Sequence, residues 1–165
     1  LKRTPQHQVL GMGVTKPGLA SVINDKNWIP IPDKFVIDDI LRSLPAKPEV
    51  IISIQGFTMM EIYGIEKIDI PTIYYGIDTH TLTRDLIYRE ASKYKQVYFA
   101  QKKAIKEFKE IYDKDSNWLP CCAEPLIHKP MNFDIEYDFA FIGGVDLVEA
   151  HKPRREALKK LMTKE

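Results

Sequence analysis

Two clusters of side chains in this 165-residue chain have the types and the spacing to do chemistry. Asp78 and His80 stand two apart, directly after the β-rich run PTIYYGI. An imidazole titrates near pH ~6.5 and can take a proton at neutral pH, and a carboxylate beside it can orient the ring. Gly143 and Gly144 end a second such run, YDFAFIGG, and Arg154 and Arg155 open a helical stretch shortly after it. Glycines let backbone N–H groups approach a phosphate closely, and a guanidinium grips phosphate through paired hydrogen bonds. Cations at a helix N-terminus oppose its dipole, so two arginines there cost local stability and favour an anionic ligand. Gln55 and Gly56 close a third run, EVIISI. Each cluster also has a plainer reading. Asp78 or Thr79 caps the following helix with His80 on the surface, and the two glycines make a tight turn beside solvated arginines. Both readings stand at this point.

The elements that must position these residues alternate between strand and helix. QVLGMGV (residues 8–14) reads as a strand, residues 35–44 as a helix with Val36, Ile37, Ile40, Leu41 and Leu44 on one face. EVIISI is a near-continuous apolar run, as expected of a strand buried on both faces of a parallel sheet. PTIYYGI and KQVYFA (residues 95–100) are the next strands, with a helix through Leu86, Ile87 and Ala91 between them. Residues 102–112 form the clearest amphipathic helix, with Ile105, Phe108, Ile111 and Tyr112 on its apolar side. Residues 118–120 are briefly extended. A Pro-bearing connector follows, then the strand YDFAFIGG and a helix over 153–162, with Pro153 in its first turn. This order gives an α/β class with parallel sheets joined by right-handed crossovers. Ligands of such sheets bind outside the carboxyl ends of the strands, where Gln55 and Gly56, Asp78 and His80, and Gly143 and Gly144 all fall.

Composition removes several function classes. Lys+Arg 24 against Asp+Glu 23 gives a net charge of +1, so no global field draws the chain to nucleic acid or to an anionic membrane. No apolar run approaches the ~20 residues of a spanning helix, and no signal-peptide pattern opens the chain. Cys121 and Cys122 are adjacent, too close for an unstrained disulfide and without the partners of a zinc site. They read as small half-buried apolar residues in a reducing, cytoplasmic setting. His128 and Glu124 in the connector read as packed or solvent-facing, and Trp28 and Trp118 as core or hinge anchors. The lysines of residues 102–110 are interleaved with Glu107 and Glu110, which is the pattern of a solvated face.

NWLPCCAEPLIHKP (residues 117–130), YDFAFIGG and PRREAL (residues 153–158) together resemble the CgeB-like, spore-maturation family of glycosyltransferases. The shared pattern is Trp-Leu-Pro, an acidic residue and Pro, His-x-Pro, then a Tyr-Asp-x-Ala-Phe-Ile-Gly strand and an Arg-Arg-Glu helix start. LKRTPQHQVL fits the helix end and second strand of that family, with Gln6 and Gln8 where Gly and Glu are usual. The resemblance implies the two-domain GT-B architecture. Residues 1–120 are then an acceptor-side Rossmann-like domain lacking its first strand and helix, 121–136 the linker, and 137–165 the first βα unit of a donor-binding domain. It implies a nucleotide-diphosphate sugar as donor, a cell-surface or spore-coat glycan as acceptor, and neither metal nor cofactor. Asp78 and His80 would then be catalytic, Gly143, Gly144, Arg154 and Arg155 would hold the donor phosphates, and Gln55 and Gly56 would face the acceptor. By itself the chain should be inactive. The reading from another class is a non-catalytic Rossmann-like binding module.

Overall fold

The computed structural model describes residues 10–13, 28–55, 60–80, 83–129, 134, 136, 140–143 and 151–162. The chain divides into two compact units, Leu1–Cys122 and Ala123–Glu165.

The first unit is α/β, and all strand pairs among its described residues are parallel. In chain order it contains β1 (Gly11–Gly13), β2 (Trp28–Pro30), β3 (Lys34–Val36), α1 (Ile37–Ser43), β4 (Ile51–Gln55), β5 (Glu61–Tyr63), β6 (Thr72–Gly76), α2 (Arg84–Ala91), β7 (Gln96–Phe99), α3 (Lys102–Tyr112) and β8 (Asn117–Trp118). The main sheet runs β4-β6-β7-β8, beside two smaller pairs, β1-β2 and β3-β5. The stretch expected as one helix over 35–44 is therefore strand first and helix only from Ile37. Its opening KFV is drawn into register with β5, Phe35 opposite Ile62.

One face of the main sheet carries the core. Helix α2 packs on β6, and α3 packs on β7 and β8. Beneath them Tyr74, Val97 and Phe99 from the strands meet Ile87, Tyr88, Ala104 and Phe108 from the helices, all buried. The rings of Tyr88, Phe99 and Phe108 meet edge to face at 5.2–5.7 Å, the arrangement that aromatic quadrupoles favour. The opposite face differs from expectation. Strand β4 alternates rather than burying both sides, with Ile51, Ser53 and Gln55 inward and Ile52 and Ile54 exposed at 58% and 55%. Helices α2 and α3 cover the side toward which Ser53 and Gln55 point.

Strand β5 is short, and it is held by charge. Parallel pairing to β3 turns the Ile62 backbone N–H and C=O away from that partner. The buried Glu90 carboxylate accepts the Ile62 N–H at 3.1 Å, and Lys93 Nζ reaches the Ile62 carbonyl at 3.5 Å. The two side chains are themselves paired at 2.6 Å. A charge this deep persists because it is paired and fully hydrogen-bonded.

In the second unit, α4 (Lys152–Met162) forms where a helix was expected. Ala140–Ile142 lie outside any strand, so the described part of YDFAFIGG is not the strand that its pattern suggests, and Ile142 is fully exposed. An apolar run joins a sheet only where a partner supplies the ladder, and among the described residues none pairs with these three. The connector closes a tight turn: the His128 N–H donates to the Glu124 carbonyl at 2.7 Å, and His128 Nδ1 accepts the Glu124 N–H at 2.9 Å. Both residues face solvent.

Candidate functional site at the carboxyl edge of the sheet

The carboxyl ends of β4, β6, β7 and β8 form one edge, in the register Gln55 opposite Gly76, Gly76 opposite Phe99 and Phe99 opposite Trp118. Gly76 is required where it stands. A Cβ there would lie 2.8 Å from the Phe99 ring, so only glycine lets β6 and the aromatic core meet at this edge.

Beyond Gly76 the chain turns sharply. Asp78 adopts φ +59°, a left-handed conformation that aspartate tolerates better than most residues. Thr79 is buried, and its N–H and hydroxyl both donate to Gln101 Oε1, at 3.4 and 2.9 Å. Gln101 occupies the N-cap of α3 but makes no cap bond with its side chain, which serves the neighbouring loop instead. The clamp on Thr79 leaves Asp78 half-buried and His80 exposed on either side of it. Helix α2 starts only at Arg84, with Thr83 as its N-cap, so neither Asp78 nor Thr79 caps it.

Gln55 sits one strand away and is buried to 1% exposure. Its amide donates to Ser53 Oγ at 2.9 Å and its Oε1 accepts the Met60 N–H at 3.3 Å, while its carbonyl accepts the Ile77 N–H at 2.8 Å. As placed, Gln55 braces the two loops at this edge instead of presenting its amide to solvent. Gly56 lies outside the described residues.

Trp118 was expected in the core or hinge and is instead 48% exposed. Its indole N–H donates to the Ala100 carbonyl at 3.1 Å, and Lys102 Nζ stands 4.1 Å above the ring. Ring and helix α3 line an open groove of about 660 Å³ with Ile105, Lys106 and Lys109. The Tyr75 hydroxyl lies 3.6 Å from Cys121 Sγ. Burial first, then this contact, pushes the Tyr75 phenol up to about 12. Cys121 and Cys122 are both exposed, not half-buried, because the chain has left the core at Pro120. Gln101 and Trp118 are the members of this edge that sequence reasoning missed. The only available signal for Gln101 was an amide at a helix start where a hydroxyl or carboxylate would be usual.

In the second unit, a Cβ at Gly143 would lie 2.8 Å from the Phe141 ring, and the Arg154 guanidinium stands 5.9 Å from the centre of the same ring. Gly143 and Arg154 are thus gathered around Phe141. Arg155 is half-buried on the next position of α4, and Gly144 lies outside the described residues.

Among the described residues no group of three or more His, Cys, Asp or Glu is placed to hold a metal ion, and no helix is long and apolar enough to cross a membrane. Comparison with protein-family models, with curated proteins and with solved structures returns no match.

Proposed function

We propose that this chain supplies the acceptor side of a cytoplasmic glycosyltransferase of the GT-B kind, which moves a sugar from a nucleotide-diphosphate donor to a glycan hydroxyl. The observation that carries the reading is the loop after β6. A left-handed Asp78, a Thr79 clamped to Gln101 and an outward His80 stand at the carboxyl edge of a parallel sheet. Unusual backbone held in place by its surroundings is the kind of feature that clusters at functional sites. In this reading His80 takes the proton from the acceptor hydroxyl as it attacks the anomeric carbon, and Asp78 steadies the imidazolium that forms. The second unit carries a candidate anion grip of its own, the Gly143 backbone with Arg154 and Arg155, whose guanidinium groups suit a diphosphate.

The test is release of nucleoside diphosphate from a panel of nucleotide sugars, run on the longest natural polypeptide that contains this chain. His80→Ala should lower turnover by about 100-fold or more, with the donor KM little changed. Gln101→Ala should lower it less, by freeing the loop. Absence of release with every donor sinks the transferase reading. The exposed apolar row of Val50, Ile52 and Ile54 would then favour the non-catalytic binding module.

A further inference from the structure

We propose that Cys121 and Cys122 form a two-thiol site for trivalent, thiophilic ligands, with arsenic(III) compounds of the R–As=O type as the defining class. Unpaired cysteine is among the residue types most often buried. Here two lie exposed side by side, at the last two positions of the first unit. The peptide between them is trans, which fixes their Cα atoms about 3.8 Å apart. A relaxed disulfide needs about 4.4–6.8 Å, so direct closure of an S–S bond is strained and easily reversed. A third atom between the sulfurs enlarges the ring and lifts that restriction.

Trivalent arsenic supplies such an atom. Two S–As bonds form, and the arsenic-bound oxygen leaves as water with the two thiol protons. Neither sulfur nor arsenic changes oxidation state, so no oxidant is needed. Soft sulfur ligands suit a soft centre of this kind.

The segment that carries the thiols is tied to the sheet on its N-terminal approach. The Leu119 N–H donates to the Phe99 carbonyl at 3.0 Å, and the Pro120 ring fixes φ immediately before Cys121. The Tyr75 hydroxyl then meets Cys121 Sγ. Because the raised phenol stays protonated at neutral pH, it can donate a hydrogen bond to the sulfur once the thiol proton has left. Capture would close a ring over the Cys121–Cys122 peptide, the last within the first unit.

The chain is titrated with phenylarsine oxide, followed by intact mass and by counting free thiols. One arsenical per chain is expected, with both thiols lost together. The adduct should survive excess glutathione, a monothiol, and be released by 2,3-dimercaptopropanol. Cys121→Ser and Cys122→Ser should each weaken retention by about 100-fold or more, since the second bond forms at high effective concentration. Tyr75→Phe should keep the stoichiometry and speed release by a few-fold. The proposal is overturned if a single-cysteine variant retains the arsenical as well as the parent chain, or if glutathione strips the adduct. It is equally overturned if mild oxidation with diamide yields a Cys121–Cys122 disulfide that glutathione does not reduce.

Discussion

Helices α3 and α4 each run for eleven residues, and both carry several basic residues on their solvent side. In α3, Ala104 and Phe108 are buried, and Phe108 contacts the rings of Tyr88, Phe99 and Tyr112. Asp113, left-handed at φ +48°, ends the helix, and Lys109 bonds Asp113 and Asp115 there, where a cation complements the dipole. In α4 no residue is buried, and Leu161 and Met162 are 53% and 84% exposed. The difference shows what an amphipathic pattern does and does not supply. It prepares a face, but the stabilisation comes from the sheet that receives it.

The sharpest way to break the contrast is to empty the α3 contact. Phe108→Ala should cost about 3–5 kcal/mol, read from chemical denaturation, because it leaves a cavity among three rings. A loss below about 1 kcal/mol would mean that α3 is no better seated than α4. Next is the charged pair that holds β5 to α2. Glu90→Gln keeps an acceptor for the Ile62 N–H but strands the Lys93 ammonium, for an expected loss of about 1–3 kcal/mol. Equal stability of Glu90→Gln and the parent chain would show that this pair is idle.

A smaller effect comes with acid. The Glu107 carboxyl on α3 is held below its ordinary value of 4.5, first by the hydrogen bond from Lys103 and then by that from Tyr88. Its contribution is therefore complete above about 4.5, the unfolded value, and disappears as pH falls through the lower folded value. Thermal melts between pH 3 and 6 should show this fall, and Glu107→Gln should flatten it; an unchanged slope would remove α3's acidic anchor from the account. The smallest effect belongs to α4. Leu161→Ala should leave stability within about 0.5 kcal/mol of the parent, and a larger loss would mean that α4 is covered in solution.

Long, strongly periodic segments were legible in the chain itself. Helix α3 spans the residues that its pattern marks, and the strands in PTIYYGI and KQVYFA lie where expected. Strands β2, β3 and β5 were not legible, since three residues cannot display a period and only pairing makes them strands. Strand β4 was recognised but its burial was not, because a run of isoleucines reads alike whether one face or both are covered. At the candidate site, Asp78 and His80 stood out by following a strand. The Thr79–Gln101 clamp did not, because residues 22 apart in sequence meet only through the β6–β7 pairing. The exposure of Cys121, Cys122 and Trp118 likewise depends on where the chain leaves the sheet after β8.

The Glu90 and Lys93 contacts to Ile62 give the molecule an internal clock. The Ile62 amide proton is held by a side chain 28 residues further along, so solvent reaches it only when α2 lifts or β5 peels away. Its rate of hydrogen exchange therefore times the parting of β5 from a helix to which it does not belong. The carboxylate also grips main chain, not side chain, so that coupling survives most changes of side chain along β5. Two segments distant in sequence thus share one reporter of their parting.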